Sequence, residues 1–146
     1  MILLGQIAAA VLLVGLTLCI ECGGVAALIL WLRTVAAKDI RNISIPRATA
    51  LVMQTTIAVV LLQGIVIFVW SGFYRWLCFS SWQAAFYYSA TSYSTVGYGD
   101  VVVEGEWRLL GPLESMMGVL MCGISVSLLF ALINRLVESK VTAPGT

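Results

Sequence analysis

Residues 91–100 read TSYSTVGYGD, with Gly97 and Gly99 alternating with Val96 and Tyr98. Glycine adopts left-handed backbone dihedrals without the steric penalty that other residues incur. An extended chain in which alternate residues are left-handed turns successive carbonyl oxygens to one side. The stretch therefore predicts a non-helical loop that presents a row of backbone oxygens, while the valine and tyrosine side chains point away and brace it.

The composition predicts a membrane protein. Of the 146 residues, 61% are hydrophobic and only 10% are charged, whereas soluble domains carry about 25% charged residues. A compact soluble fold of this size could not bury so much apolar surface, so we expect a lipid bilayer to be its solvent. The net charge of +1 points to no particular partner. We expect membrane lipids as the surroundings and no nucleic-acid partner.

Charged residues are absent from three long segments, residues 2–20, 48–74 and 115–134. About 20 consecutive apolar residues cross the hydrocarbon core of a bilayer as a helix. The sequence therefore predicts transmembrane helices over residues 3–32, 49–71 and 109–132. The first segment could instead be a signal peptide, but no Lys or Arg precedes Arg33 and the apolar run is too long. We expect a retained helix.

The basic residues are distributed unequally around these helices. Two groups, between the first and second helices and after the third, comprise Arg33, Lys38, Arg41, Arg47, Arg135 and Lys140. Only Arg75 and Arg108 lie on the other side. Because basic residues accumulate in cytoplasmic loops, we expect a multi-pass protein. Its N-terminus and residues 72–108 would lie outside, and its first linker and C-terminus would be cytoplasmic.

The segment between the second and third helices divides into parts. Residues 71–79 predict a short aromatic turn, and Ser80 or Ser81 is a good N-cap for a helix over residues 82–91. That helix is too short to cross a bilayer, so we expect it to be re-entrant and to lead into the glycine loop. Irregular backbone at membrane depth is tolerated only where protein buries it or where it lines a water-filled cavity.

The run TVGYGD, residues 95–100, resembles the signature sequence of the potassium-channel family. The resemblance extends over about residues 46–135, because a short helix pattern precedes the run and the third apolar segment also looks like that of small bacterial two-transmembrane members. It implies an all-α membrane protein with three transmembrane helices, a re-entrant pore helix and a selectivity-filter loop. It also implies a homotetramer, in which four loops surround one axis.

The resemblance further implies a function and a site. In that family, backbone carbonyl oxygens replace the water shell of K⁺. The filter residues would be Thr95, Val96, Gly97, Tyr98 and Gly99, with K⁺ bound at the first four. The implied function is passive, potassium-selective conduction across a bacterial inner membrane, with K⁺ as the permeant ligand and no cofactor.

The outer mouth departs from the family pattern. Several relatives carry a glutamate nine residues before the filter aspartate and pair the two behind the filter, but that position is Thr91 in this sequence. Asp100 is therefore expected to be held differently, through Tyr87, Tyr88 or water. Thr91, Tyr88 and Asp100 are the residues assigned to filter support.

Four parts are expected along the chain. A peripheral N-terminal transmembrane helix occupies residues 1–33, a basic cytoplasmic linker 34–47, a pore domain 48–138 and a short tail 139–146. Residues 36–45 could form an interfacial helix, with Pro46 in the first turn of the next span. In the last span, the family resemblance implies Gly118 and Gly123 as hinge candidates. The first helix lies outside the minimal two-span pattern.

Glu21 is the most unusual residue, because acids within membrane helices are costly and are usually functional or internally paired. It could be a pH or ligand sensor, or it could be a carboxyl group bonded to Ser125, Ser127, Gln63 or a backbone carbonyl. At the other end of the chain, four acids are expected near the outer mouth, where they would concentrate cations. They are Asp100, Glu104, Glu106 and Glu114.

The sequence offers little for catalysis. It contains no histidine, no metal-binding constellation and no convincing nucleophile–base pair, so we do not expect an enzyme. Cys19 and Cys22 have CxxC spacing but lie in an apolar span, where packing is the simpler explanation. Two alternatives to a potassium channel stay open: a weakly selective cation channel, and a non-conducting subunit that assembles with other channels.

No predicted helix carries arginine at every third position, so a voltage sensor is not expected. Few residues follow the third span, so we do not expect a cytoplasmic ligand-binding domain. The gating stimulus is left open between pH, lipid, tension, the filter itself and another subunit.

Overall fold

The computed structural model describes residues 2–36 and 44–141, and these form helices and loops without a strand. The α-helices are α1 (Ile2–Ala36), α2 (Ile45–Leu77), α3 (Trp82–Tyr93) and α4 (Leu110–Val141), with a 3-10 turn at Gly105–Leu109. Three of them are long and apolar enough to cross a membrane, whereas α3 has only 12 residues. The predicted all-α architecture is confirmed. The predicted interfacial helix lies mostly outside the described residues.

The three long helices exceed the thickness of a bilayer core. With 35, 33 and 32 residues and a rise of about 1.5 Å per residue, each is about 50 Å long. They therefore tilt within the roughly 30 Å of hydrocarbon or extend into the headgroups. Pro46 lies in the first turn of α2, as predicted, where a missing amide proton costs no helical hydrogen bond.

The predicted aromatic turn over residues 71–79 is wrong, because α2 continues to Leu77. The helix keeps one buried stripe at three- and four-residue spacing, which ends with Val66, Trp70 and Tyr74, all 0% exposed. These side chains pack toward α3, and the Tyr74 and Tyr88 rings meet edge to face with centroids 4.9 Å apart. Burial of this largely aromatic face stabilises the last two turns of the helix.

The short helix α3 packs against both α2 and α4. The Ser81 side chain caps its N-terminus by accepting a hydrogen bond of 3.1 Å from the Ala84 amide, so the second of the two predicted caps is used. The helix runs two residues further than predicted, to Tyr93. Ala85 and Tyr93 join the main hydrophobic core, to which all four helices contribute.

The first helix docks on α2 and α4 along one face and reaches α3 through a side chain. Leu13, Thr17 and Glu21, spaced four residues apart, are all buried, and a Cβ at Gly24 would overlap the Leu62 side chain. Small residues commonly allow such close approach between membrane helices. Gly23 has open space around it, so the contact depends on one glycine of the neighbouring pair.

The buried hydrogen bond between α1 and α2 allows a test of this docking. Trp70 Nε1 donates to Thr17 Oγ1 at 2.9 Å, and both residues are 0% exposed. Thr17→Val should destabilise the fold by about 1–3 kcal/mol, because the indole donor stays buried without an acceptor. Unfolding of the purified protein in detergent measures the loss. Thr56→Val is the control, since that exposed hydroxyl bonds only within its own helix; an equal loss in both variants would contradict the assignment.

Candidate functional site

The glycine loop follows α3 directly and has an alternating backbone. Thr95, Gly97 and Gly99 have positive φ angles of 62°, 51° and 78°, whereas the residues between them do not. This is the alternation for which the two glycines were singled out in the sequence. Thr95 adds a third left-handed position that sequence reasoning missed, because a threonine there incurs strain that its surroundings must offset.

Hydrogen bonds from the loop amides to the end of α3 hold this backbone. The Gly97 amide donates to the Thr91 carbonyl and the Thr95 amide donates to the Ser92 carbonyl, both at 3.0 Å. From α4, the Ser115 hydroxyl also lies 2.7 Å from the Ser92 carbonyl. The carbonyl end of α3 carries the negative end of the helix dipole. It is thus joined to the loop by backbone bonds and to α4 by a side chain.

Asp100 is held by Tyr87. The Tyr87 hydroxyl donates to Asp100 Oδ2 at 2.9 Å, and the Val101 amide donates to Oδ1 at 3.1 Å. The Tyr87 ring also stacks on Tyr98, with centroids 6.4 Å apart and planes inclined by 13°. Tyr87 was one of three partners considered for Asp100 but was not assigned to the site. The structure therefore adds it as the residue that joins the aspartate to the loop.

The other two residues assigned to filter support act elsewhere. The Thr91 hydroxyl bonds to the Tyr88 carbonyl within α3, so Thr91 reaches the loop only through its own carbonyl group. The Tyr88 ring packs against Tyr74, and its hydroxyl lies where a Cβ at Gly111 would be. Gly111 is therefore a close-approach position that the sequence did not reveal.

One face of the loop is open in the single chain. Val96 is 52% exposed and Tyr98 is 72% exposed, and Thr95, Gly97 and Gly99 are also exposed. Further along α3, Trp82 and Phe86 expose 54% and 46% of their surface. A large part of the loop surface is thus available for contact with other molecules.

Glu21 lies against the end of α3. Its side chain is 2% exposed, and its Oε1 atom is 3.2 Å from the Tyr93 hydroxyl. The same hydroxyl also contacts Gln63 Oε1, and Gln63 Nε2 is 2.9 Å from Ser125 Oγ. Two of the expected partners thus belong to this cluster, but the direct one, Tyr93, was not predicted. The sensor hypothesis for Glu21 stays a prediction.

The expected position of Glu114 at the outer mouth is wrong. Its side chain is 0% exposed and lies between helices, with Oε1 bonded to the Ser89 hydroxyl of α3. Asp100, Glu104 and Glu106 are exposed. The error has a simple cause: the sequence places Glu114 near the start of α4 but does not say which way the helix is rotated.

The two hinge candidates in α4 have different surroundings. A Cβ at Gly118 would overlap the carbonyl oxygen of Tyr93, whereas nothing lies within 4 Å of one at Gly123. Gly118 therefore lets α4 pass directly against the end of α3. The hinge role of either glycine stays a prediction.

Within the described residues, no cluster of three or more His, Cys, Asp or Glu could hold a metal ion. All four cysteines are unpaired, and Cys19 and Cys22 are exposed on α1. Because alternating left-handed residues turn successive carbonyl groups to one side, an ion could bind at the loop without side-chain ligands.

Comparison with protein families gives one match. A family model described as "Ion channel" matches residues 49–135, a range that includes most of α2, all of α3, the loop and most of α4. None of the curated proteins and none of the solved structures compared with the chain matches it.

The contact at Gly118 predicts a sharp difference between two alanine variants. Gly118→Ala should destabilise the fold by about 1–3 kcal/mol, because a backbone carbonyl cannot move aside and α4 must separate from α3. Gly123→Ala should be neutral or slightly stabilising, since its Cβ meets open space and alanine favours helix. Thermal unfolding in detergent compares them. Equal stability of the two variants would contradict the close approach.

The bond between Tyr87 and Asp100 predicts a titration. Hydrogen bonding to Asp100, the largest cause, raises the pKa of Tyr87 above its usual value of 10.0. The contact is therefore intact at neutral pH and is lost as the pH rises through that raised pKa. Asp100→Asn should lower the pKa, because the carboxylate charge that favours the neutral phenol is removed.

Phenolate absorbance, taken as the difference from Tyr87→Phe in each background, isolates the titration of this one tyrosine. Glu106→Gln provides the control, because it removes an exposed acid that has no bond to Tyr87. An unchanged midpoint in Asp100→Asn would show that the bond is absent in solution.

Proposed function

The chain belongs to the ion channel family whose model matches residues 49–135, and we propose that it is a potassium-selective channel. The observation that supports this most directly is the alternation of positive φ at Thr95, Gly97 and Gly99 within TVGYGD. In the proposed mechanism, K⁺ sheds water at the loop and exchanges it for carbonyl oxygens of residues 95–98. Repulsion from the next ion then moves it on, without covalent chemistry and without a cofactor.

Four chains are needed for such a filter, because one chain supplies one loop. We propose a homotetramer with cyclic symmetry, in which the carbonyl oxygens of each loop are turned toward a common axis. The exposure of Val96 and Tyr98 in the single chain agrees with a loop that is braced by neighbouring copies. The carbonyl end of each α3 would also point its dipole toward the axis and favour a cation there.

The remaining assignments concern the outer mouth, the orientation in the membrane and the location. Asp100, held by Tyr87, would attract cations at the outer mouth together with the exposed Glu104 and Glu106. The excess of basic residues in the first linker and after α4 supports an external N-terminus and a cytoplasmic C-terminus. A bacterial inner membrane is the proposed location.

Ion flux tests the proposal. The purified protein in liposomes should carry K⁺ much faster than Na⁺, and Ba²⁺ should block the flux. Gly97→Ala and Gly99→Ala should each reduce K⁺ flux at least about tenfold, because a left-handed alanine costs roughly 1–2 kcal/mol in every copy. Space does not limit these variants, since no atom lies within 4 Å of either added Cβ.

Gly64→Ala is the matched control, because that glycine has equally open surroundings but lies in the regular helix α2. It should conduct like the original protein. Selective K⁺ flux in both loop variants would refute the filter assignment. Equal K⁺ and Na⁺ flux in the original protein would favour the weakly selective cation channel. A purified homotetramer without flux would favour the non-conducting subunit.

A further inference from the structure

Two buried acids approach the same face of α3 from different helices. Ser89 and Tyr93 lie four residues apart, and residues at this spacing share one face of a helix. Both are buried, with 0% and 6% exposure. Ser89 contacts Glu114 of α4, and Tyr93 contacts Glu21 of α1. The carboxyl groups are themselves 0% and 2% exposed.

Each hydroxyl has one proton but faces two oxygen acceptors. Ser89 Oγ lies 3.0 Å from the Ile67 carbonyl oxygen and also contacts Glu114 Oε1. If Glu114 were ionised, the single Ser89 proton could serve only one of them, and the other pair of oxygens would face each other without a proton. If Glu114 is neutral, it donates to Ser89 and Ser89 donates to Ile67, so every contact has its proton.

In the second cluster, too, one hydroxyl group faces two oxygen acceptors. Tyr93 faces Glu21 Oε1 and Gln63 Oε1, and Gln63 Nε2 bonds to Ser125 Oγ. With Glu21 neutral, the relay runs from Glu21 to Tyr93, then to Gln63, then to Ser125. If the amide oxygen and nitrogen of Gln63 are exchanged, Gln63 donates to the Tyr93 hydroxyl. Tyr93 can then donate its own proton to an ionised Glu21. That carboxylate would then have one hydrogen bond to offset its charge inside a bilayer.

Desolvation favours the neutral form at both positions. A carboxylate removed from water is strongly destabilised unless a cation or several hydrogen bonds compensate. The Tyr74 hydroxyl interacts with the Glu114 carboxyl group, but neither this hydroxyl nor Glu114 Oε2 makes a hydrogen bond of regular geometry. Among the described residues, no basic side chain forms an ion pair with Glu21 or Glu114. A neutral carboxyl group needs no counter-charge and can donate.

The clusters lie next to the structures that hold the loop. Tyr93 is the last residue of α3 and its carbonyl touches Gly118, while the neighbouring Ser92 carbonyl accepts the Thr95 amide. A rotation of α3 at this point would move the acceptors of the loop amides. Whatever fixes Ser89 and Tyr93 therefore also fixes the loop backbone.

We propose that Glu21 and Glu114 are protonated in the folded channel and are positioning residues, which donate hydrogen bonds to Tyr93 and Ser89 and thereby hold the filter in its ion-selective geometry. This assigns α1 a part in ion selection through Glu21. The flux measurements that test the inference rest on the proposed function, whereas the protonation of the two acids can be tested without it.

Infrared spectroscopy tests the protonation in the full-length protein, reconstituted in lipid at neutral pH. A protonated carboxyl group has a carbonyl stretch at higher frequency than a carboxylate. The original protein should show this band, Glu21→Gln and Glu114→Gln should each reduce it, and the exposed control Glu106→Gln should leave it unchanged. Absence of the band, or its persistence in the double Gln variant, overturns the proposal.

Ion selectivity tests the positioning role. Glutamine keeps a donor and nearly the same shape, so Glu114→Gln should retain the K⁺ to Na⁺ flux ratio within about twofold. Glu114→Leu should reduce that ratio at least about tenfold, because the Ser89 contact is lost. Ser89→Ala removes the same contact but keeps the acid. It should reduce the K⁺ to Na⁺ flux ratio as much as Glu114→Leu does. Glu21→Gln, Glu21→Leu and Tyr93→Phe form the second series.

The variant series has clear contrary outcomes. If Gln variants lose selectivity as severely as Leu variants, a charged carboxylate is required and the proposal is wrong. If the Leu variants keep the original ratio, neither acid positions the filter. Where a Leu variant fails to assemble, the Gln and Ser89→Ala variants carry the test. Absence of flux in the original protein contradicts the proposed function, and the infrared band then decides the protonation alone.

Discussion

The irregular loop needs protein partners for its backbone amides, because an amide removed from water without a hydrogen bond is costly. In this chain the partners lie in the last turn of α3, where the Thr91 and Ser92 carbonyl groups accept the Gly97 and Thr95 amides. The loop can keep its alternating dihedrals only while these acceptors stay in place. The depth and rotation of α3 are therefore the quantities that the rest of the chain must control.

Packing against α2 and α4 fixes the position of α3. Its buried residues meet the aromatic face at the end of α2, where Trp70 and Tyr74 are fully buried. On the other side, Gly111 and Gly118 let α4 pass so closely that a Cβ at either position would overlap α3. Well-packed interfaces of this kind resist sliding, since a small displacement produces overlaps or cavities. The rigidity of the loop thus depends on the helices that pack against α3.

Polar contacts orient α1, since apolar side chains pack about as well against lipid as against a neighbouring helix. The Thr17–Trp70 and Glu21–Tyr93 bonds lie one turn apart along α1. Together they orient one face of the helix toward α2 and α3. Because Tyr93 ends α3, a side-chain contact links α1 to the base of the loop.

The sequence by itself determined the features that depend on neighbours along the chain. Long apolar runs without charge predict spans, Ser80 or Ser81 predicts the start of α3, and the two glycines predict left-handed positions in the loop. Only the tertiary structure decided the end of α2, the strain at Thr95, the burial of Glu114 and the partners of Glu21 and Asp100. Helices that are apolar on every face carry no stripe to show which side turns inward, so these contacts arise only when the helices pack.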